Sequence, residues 1–525
     1  MIKITYKLIL LLSLLAMTVT SFAASEAEYG KVSKAWTLHA DGSQEYRSSM
    51  ELTLFTHTAM NSTYGESFIV YNPDFQTLKI HSSYTRQKDG TIVKTPDNAF
   101  VEVLPRFAAD APAYNQLKEM VVVHTGLELG ATIYLDYSII TKPGYYPALD
   151  INERLQETSP VKECKVSISV PEGTPLACGL YGSPVKAVEE SHDGIKEVHW
   201  TLRNIPASSR EAFQPKNREA SPHLVASTYP SGKAALATLD KRLKESQGYE
   251  SKTFAQFLTD KSGNEQEKVN IIRDHILNNL STCPIPMAMT GYTVRDIDTV
   301  LRSAYGTPLE IAQLLNVMLN AAGIPSEVLA VYPGHLDTDA CGLAAIQTLA
   351  VKATVDGKDQ YASPLTNRGG LDKVVSLSGT SIEIETTPIQ IKESRSVAIS
   401  ADQAKDGFAI CVLPAISAGI DSWGMSALNS KRSNLFELPS LIREEVTYTV
   451  TPAEGMKLQT STQEQVISKP FGKVTRTITP KGNTIEVVRT IELNKQQFTP
   501  AEYSGVRSLI HEWTNPDNRV LLFSL

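Results

Sequence analysis

Over most of the first 225 residues apolar and polar positions alternate with period two. Leu52 and Leu54 flank Thr53, Ile133, Leu135, Tyr137 and Ile139 fall on one side of their run, and Val166, Ile168, Val170 and Val198, Trp200, Leu202 repeat the pattern. Alternation of this kind predicts half-buried strands. Leu78 and Ile80 lead to Lys88-Asp89-Gly90-Thr91, a hairpin signal. Several short strands separated by such turns predict a β-sandwich over residues 24–225. The period then lengthens: Val269, Ile272, Ile276 and Leu280 recur at helical spacing, and the turn Gly291-Tyr292 leads to Val294, Ile297, Val300 and Leu301. From residue 440 alternation returns. Val446, Tyr448 and Val450 form one run, and Val474, Arg476, Ile478 are expected to face Ile485, Val487, Arg489, Ile491 across the turn Lys481-Gly482-Asn483. Between them, 371–439 holds the alternating Ile382 and Ile384 and an irregular run through Gly419, Trp423 and Arg432 to Pro439. It reads as a connecting segment whose apolar residues pack between domains.

The sharpest local pattern is Tyr305 to Val331. Thr307 suits a helix N-cap, Pro308 the first helical position, and Glu310 completes a Thr-x-x-Glu capping box, so a helix starts at Pro308. Leu309, Ala312, Leu315, Val317, Leu319 and Ala322 make it apolar on most of its surface, which predicts burial on several sides. Gly323 and Pro325 end it, and Glu327 to Val331 reads as a strand. Two further strands, Gln347 to Val355 and Lys358 to Leu365, are joined at Asp356-Gly357.

This helix-then-strand unit resembles the core of the transglutaminase-like superfamily, a papain-related fold in which a nucleophilic cysteine opens a buried helix. A thiolate is stabilised there by the unpaired amides and the dipole of the helix N-terminus. The resemblance places the cysteine at Pro308, the histidine at Thr348 and its orienting aspartate at Ser363, so all three positions of the implied triad are substituted. Upstream, YNPDFQTLKIHSSYTRQKDGTIV and VVVHTGLELGATIYLDYSI resemble an uncharacterised domain that precedes transglutaminase-like domains in exported bacterial proteins. The ending, IELNKQQFTPAEYSGVRSLI, resembles the uncharacterised domain that closes them. The implied architecture is α+β and multidomain: an N-terminal β-sandwich (24–225), a transglutaminase-like α+β domain (226–370), the connector (371–439) and a C-terminal β-sandwich-like domain (440–525).

Composition narrows the function. Lys3 and Lys7 precede an apolar run from Leu8 to Val19 and small residues at Ala23 and Ala24, which reads as a secretory signal peptide over residues 1–23. Its removal deletes two lysines and no acid, taking the formal charge from −7 to −9. A periplasmic or extracellular protein with no transmembrane segment after cleavage is the expectation, and its acidity gives nucleic acid no basic footprint. Five cysteines, Cys164, Cys178, Cys283, Cys341 and Cys411, are an odd number for an exported chain, so at least one is free or bonded between molecules. Cys164 and Cys178 flank Pro171-Glu172-Gly173-Thr174 and form a candidate disulfide. The cysteine spacing makes no zinc site, so no metal or cofactor is expected.

Besides a structural subunit that docks a partner through its β domains, two readings of function remain open. In one the protein is a catalytically inactive binding or scaffold module for a peptide, glycopeptide or envelope protein. In the other it is a cysteine-dependent peptidase, amidase or acyltransferase acting through Cys283, or through Cys341 with His335 and Asp339 in one short loop. His275 on the helical stripe and Trp423 read as packed residues, with catalysis and ligand binding as their respective alternatives.

Overall fold

The computed structural model describes residues 25–208, 211–215, 221–246, 248–361, 372–382, 388–425 and 428–525. The segment read as a signal peptide, 1–23, and Ser363 lie outside the described residues. The protein is mostly β and multidomain, with many sheets.

The N-terminal part is organised by an eight-stranded sheet. In spatial order its strands are Val188–His192, Ile195–Ile205, Val161–Pro171, Ala27–Leu38, Gln44–Leu54, Thr132–Thr141, Gln76–Arg86 and Ile92–Lys94. The alternation in the sequence becomes register: Val166 lies opposite Trp200 and Ile168 opposite Val198, all four buried in one core. Ala27–Leu38 runs parallel to Val161–Pro171, while its other neighbour, Gln44–Leu54, is antiparallel. Two smaller sheets accompany the large one. One is Glu66–Tyr71, Lys118–Val123 and Phe100–Val103; the other is Ala177–Tyr181, His223–Ser227 and Asp150–Arg154.

The expected Cys164–Cys178 disulfide is not formed, and both thiols are free. Cys164 lies between Val32 and Leu202 inside the eight-stranded sheet, whereas Cys178 pairs with Ala226 in the second small sheet. The turn after Pro171 leads the chain out of the first sheet, so the two residues are not hairpin neighbours.

Downstream, the helix Pro308–Ala321 is surrounded by Gly232–Glu245, Glu250–Thr259, Glu265–Asn279 and Ile297–Ser303, and backed by an antiparallel sheet. That sheet runs Lys358–Tyr361, Thr348–Val355, Ser326–Pro333, Asp372–Ser376, Ser381–Ile382. Burial on several sides follows the apolar pattern: Leu309, Leu314, Met318 and Leu319 are all within the core, while Pro308 and Asn320 are exposed. Gln313 is buried too, because its amide donates to the Leu243 carbonyl at 2.8 Å and so satisfies the open C-terminus of a neighbouring helix. A second buried cap is Asp298, which accepts from the amides of Tyr249, Glu250 and Ser251 at 2.7, 2.9 and 2.8 Å. Burial works against its charge, but those bonds outweigh it and hold the carboxyl at about 2.

The helix start carries the most consequential contact. Thr307 and Glu310 form the expected capping box, and Glu310 is fully buried. Its carboxylate receives the Arg295 guanidinium at 2.8 Å, the Thr307 amide at 2.8 Å and the Tyr114 hydroxyl at 2.6 Å. Tyr114 comes from the N-terminal part, and the Ala113 amide also donates to the Tyr305 hydroxyl at 2.8 Å. One carboxylate therefore joins a helix cap, a loop cation and a distant segment.

At the C-terminal end, the sheet Ile389–Ile399, Ile442–Pro452, Thr484–Leu493, Gly472–Lys481, Gln465–Lys469 packs against the helix Pro500–Thr514. Val474 opposes Ile491 and Ile478 opposes Val487, the hairpin pairing expected from the alternation. Residues 389–425 and 428–437, within the segment 371–439 read from the sequence as a connector, are built into this unit. Ile389–Ile399 adds a parallel edge strand, Phe408–Val412 pairs with Val520–Ser524, and Ile420 and Phe436 enter the same core. The edge strand escapes a periodicity reading because its residues are exposed or half-exposed nearly throughout. Trp423 packs partly against this core.

Removing one partner of a buried ion pair strands the other charge. Glu310→Ala should lower unfolding free energy by about 3–5 kcal/mol in urea titration at neutral pH, and Tyr114→Phe by about 1.5–3 kcal/mol. Burial opposes the Glu310 charge, but the bonds from Arg295, Tyr114 and Thr307 keep its pKa below the ordinary glutamate value. Its contribution is therefore complete above that ordinary value and is lost as pH falls below it, so the wild-type advantage over Glu310→Ala should shrink in acid.

Candidate functional site

A cleft of about 760 Å³ separates the N-terminal part from the helical part. One wall is the face of the large sheet that presents Trp36, Tyr46, Tyr137 and Ile139, continued by the strand Asp150–Arg154. The opposite wall is the segment Pro284–Met289, the N-terminus of the helix at Pro308, and Leu343 to Leu349. Its volume falls within the range of about 300–1,000 Å³ usual for small-ligand sites.

Of the three positions at which the resemblance implies a triad, Pro308 and Thr348 both line the cleft and both are exposed. Pro308 is placed by a short parallel pairing of Ser281–Thr282 with Tyr305–Gly306 and by the capping box behind it. Gly306 fits because a Cβ there would lie 3.1 Å from Val300 and 3.2 Å from Glu310. Thr348 begins its strand opposite Val331, anchored by the Gln347 amide donating to the Val331 carbonyl at 2.8 Å. The capping box takes up the amides of Thr307 and Glu310, and the first helical residue is a saturated ring with neither N–H nor nucleophile.

Neither alternative cysteine reaches the cleft, and no cysteine is among the described lining residues. Cys283 is 4% exposed, packed with Ala108, Ala111 and Leu117, and its thiol points to the Asp110 carbonyl at 3.7 Å. Burial raises its pKa, and the charge of Asp110 adds to the effect. Cys341 is 1% exposed, and burial, reinforced by Asp150 and Asp337, pushes its thiol up to about 12. A reactive thiol needs the opposite environment. Of the partners considered for Cys341, His335 lies edge-on to Tyr181 with centroids 5.6 Å apart, and Asp339 is exposed. His275 packs edge-on against Phe254 at 5.0 Å and is not a lining residue. Among the described residues no group of three His, Cys, Asp or Glu side chains is arranged to hold a metal ion.

The cleft also contains residues that no sequence motif marked. Asp150 accepts the Ala344 amide at 2.9 Å, and burial nevertheless raises its pKa to about 6. Gly342 lies so close that a Cβ would come within 2.1 Å of its carboxylate. Asn152 donates to the Ala344 carbonyl at 2.7 Å and Tyr145 to the Met289 carbonyl at 2.8 Å, so the two walls are tied together at both ends. Glu153 forms an ion pair with Lys34 at 2.6 Å beside the aromatic wall. These residues sit in strands and loops of ordinary composition, and only the meeting of the two parts makes them neighbours.

Comparison with known proteins places the two ends of the chain. Residues 40–209 match a domain of unknown function, DUF3857, and residues 408–523 match a second, DUF3858. The chain is thus a multidomain protein with an N-terminal DUF3857 domain and a C-terminal DUF3858 domain. It is similar, at 99% identity, to the crystal structure of "a putative protease from Parabacteroides distasonis", over 95% of this chain and 99% of that one with a TM-score of 0.92. It belongs to the same family as that protein. A "putative cysteine protease from Cytophaga hutchinsonii" shares 15% identity over 43% of this chain and 78% of that one, with a TM-score of 0.20. An M1 zinc metallopeptidase from Deinococcus radiodurans shares 10% over 38% and 42%, also with a TM-score of 0.20. Scores this low support no structural argument. Among curated proteins nothing matches the chain. No described helix is long and apolar enough to cross a membrane.

A carboxyl whose folded pKa is raised stabilises the fold below its ordinary pKa and loses that contribution as pH rises through the folded value. For Asp150 the window is from about 4 to about 6. Asp150→Asn should accordingly gain about 2–3 kcal/mol over wild type in urea titration at pH 7.5 and little at pH 4, with a difference that closes across that window.

Proposed function

We propose that this is an exported, catalytically inactive transglutaminase-like protein whose inter-domain cleft binds a peptide or glycopeptide chain, or a chain of an envelope protein. The observation that supports this most directly is the meeting of Pro308 and Thr348 on one cleft with no cysteine among the described lining residues. A helix N-terminus facing a cleft beside a strand start is where a papain-related site would assemble its thiol and imidazole. Here that place carries a proline and a threonine. A fold outlasts its chemistry because the packing of the helix and sheet does not depend on the lost groups. Without nucleophile and base, only binding and polar stabilisation remain, and these account for a small part of the catalysis of such sites. The reading extends to the periplasm or cell exterior as the place of action.

The description of the Parabacteroides distasonis protein as a protease favours the second reading, a cysteine-dependent hydrolase or acyltransferase using Cys283 or Cys341. The burial of both thiols argues against it.

Thiol labelling separates the two. In the folded full-length protein, Cys283 and Cys341 should react with iodoacetamide at least about tenfold more slowly than after denaturation, as read by peptide mass spectrometry. Rapid modification of either in the native state, blocked by a peptide-like cysteine-protease inhibitor, would overturn the inactive reading. Pro308→Cys should give a labelled thiol without turnover, since Thr348 supplies no base.

A further inference from the structure

The cleft is unbalanced in charge. Its described lining includes three acidic residues, Glu45, Asp150 and Glu153, and no lysine, arginine or histidine. A ligand bearing carboxylate or phosphate would meet acids with no cation to offset them. Behind the wall, Lys34 is held at 2.6 Å from Glu153 and 3.0 Å from Glu157. Two carboxylates around one ammonium leave this corner with a net negative charge.

The same corner is aromatic. Trp36 and Tyr46 have ring centroids 5.2 Å apart at 35°, and Tyr46 meets Tyr137 at 6.2 Å and 76°. All three line the cleft, and burial raises the phenol pKa of both tyrosines, with the Lys34 ammonium lowering it and the Glu153 carboxylate, the weaker of the two charges, raising it. Ring faces carry negative electrostatic potential, and inclined faces beside a carboxylate form a corner that attracts an ammonium group. Lys34 shows that the surrounding carboxylates already hold one such group, and the excess acid leaves room for a second charge.

We propose that the cleft selects chains carrying a protonated primary amine, seated against Trp36, Tyr46 and Tyr137 beside Glu153. This deepens the peptide-binding reading above and rests on it. The amine supplies the donors and the positive charge that the lining lacks, while the rest of the chain lies along the floor toward Pro308 and Thr348.

The test is calorimetric titration of the full-length protein with two short peptides of one sequence. One has a free N-terminus and a lysine; the other has both amines acetylated. The expected result is at least tenfold weaker binding of the acetylated peptide, and weaker binding of the amine peptide as salt rises from 20 to 200 mM. Glu153→Gln should weaken the amine peptide about five- to tenfold and leave the acetylated one unchanged. Trp36→Leu should weaken the amine peptide as well, whereas Trp36→Phe, which keeps a ring face, should restore most of the binding. Circular dichroism and urea midpoints confirm that each variant is folded. Equal affinity for the two wild-type titrants would overturn the amine proposal and leave the peptide-binding reading standing. Absence of binding by either peptide up to millimolar concentration would overturn both.

Discussion

The carboxylate of Glu310 is the constraint on which the arrangement depends. It is fully buried, so it must be paired, and its partners come from three separate stretches of chain: Thr307 at the helix start, Arg295 in the preceding loop and Tyr114 in the N-terminal part. Arg295 is fixed in turn by the rings of Tyr114 and Tyr305, at 5.5 and 4.6 Å from their centroids. An unpaired charge in this position would cost several kcal/mol, so the domains close in one relation that satisfies it. The position of Pro308, two residues before Glu310, follows from that closure, and so does the cleft above it.

The cleft is a product of two surfaces that are incomplete alone. The large sheet contributes rings and acids, and the helical part contributes a capped helix end, a strand start and the loop carrying Gly342. Polar ties hold them at both ends, through Asn152 and Asp150 to the loop and through Tyr145 to Met289. The proposed binding role rests on this arrangement. Its thiols lie elsewhere in apolar packing, where desolvation opposes the thiolate, while the exposed positions facing the ligand space are proline and threonine.

Much of the fold was legible in the residues because local periodicity and capping express local energetics. The alternating runs became strands, as at Val166 opposite Trp200, and the hairpin expected across Lys481-Gly482-Asn483 formed with Val474 opposite Ile491. The edge strand Ile389–Ile399 was not legible, since a strand with little burial on either face carries no alternating signature. The candidate disulfide failed for a related reason: the turn after Pro171 looks like a hairpin, but nothing local tells whether the next strand stays in the same sheet. Of the site, Pro308 and Thr348 were singled out by the resemblance to the transglutaminase-like core. Asp150, Glu153 and the ring wall could not, because residues more than a hundred positions away complete them.

Two stretches with the same pattern show where sequence stops. Thr307-Pro308-Leu309-Glu310 and Thr499-Pro500-Ala501-Glu502 both form capping boxes with proline in the first turn. The sequence by itself determined this much, since a cap is made within four residues and needs no distant partner. Glu502 stays partly open to water and pairs with Lys495 at 2.5 Å on the surface. Glu310 is sealed in the interior and joins two domains. Only the tertiary structure decided that difference, because desolvation depends on what the rest of the chain brings to the site, and four residues carry no record of it.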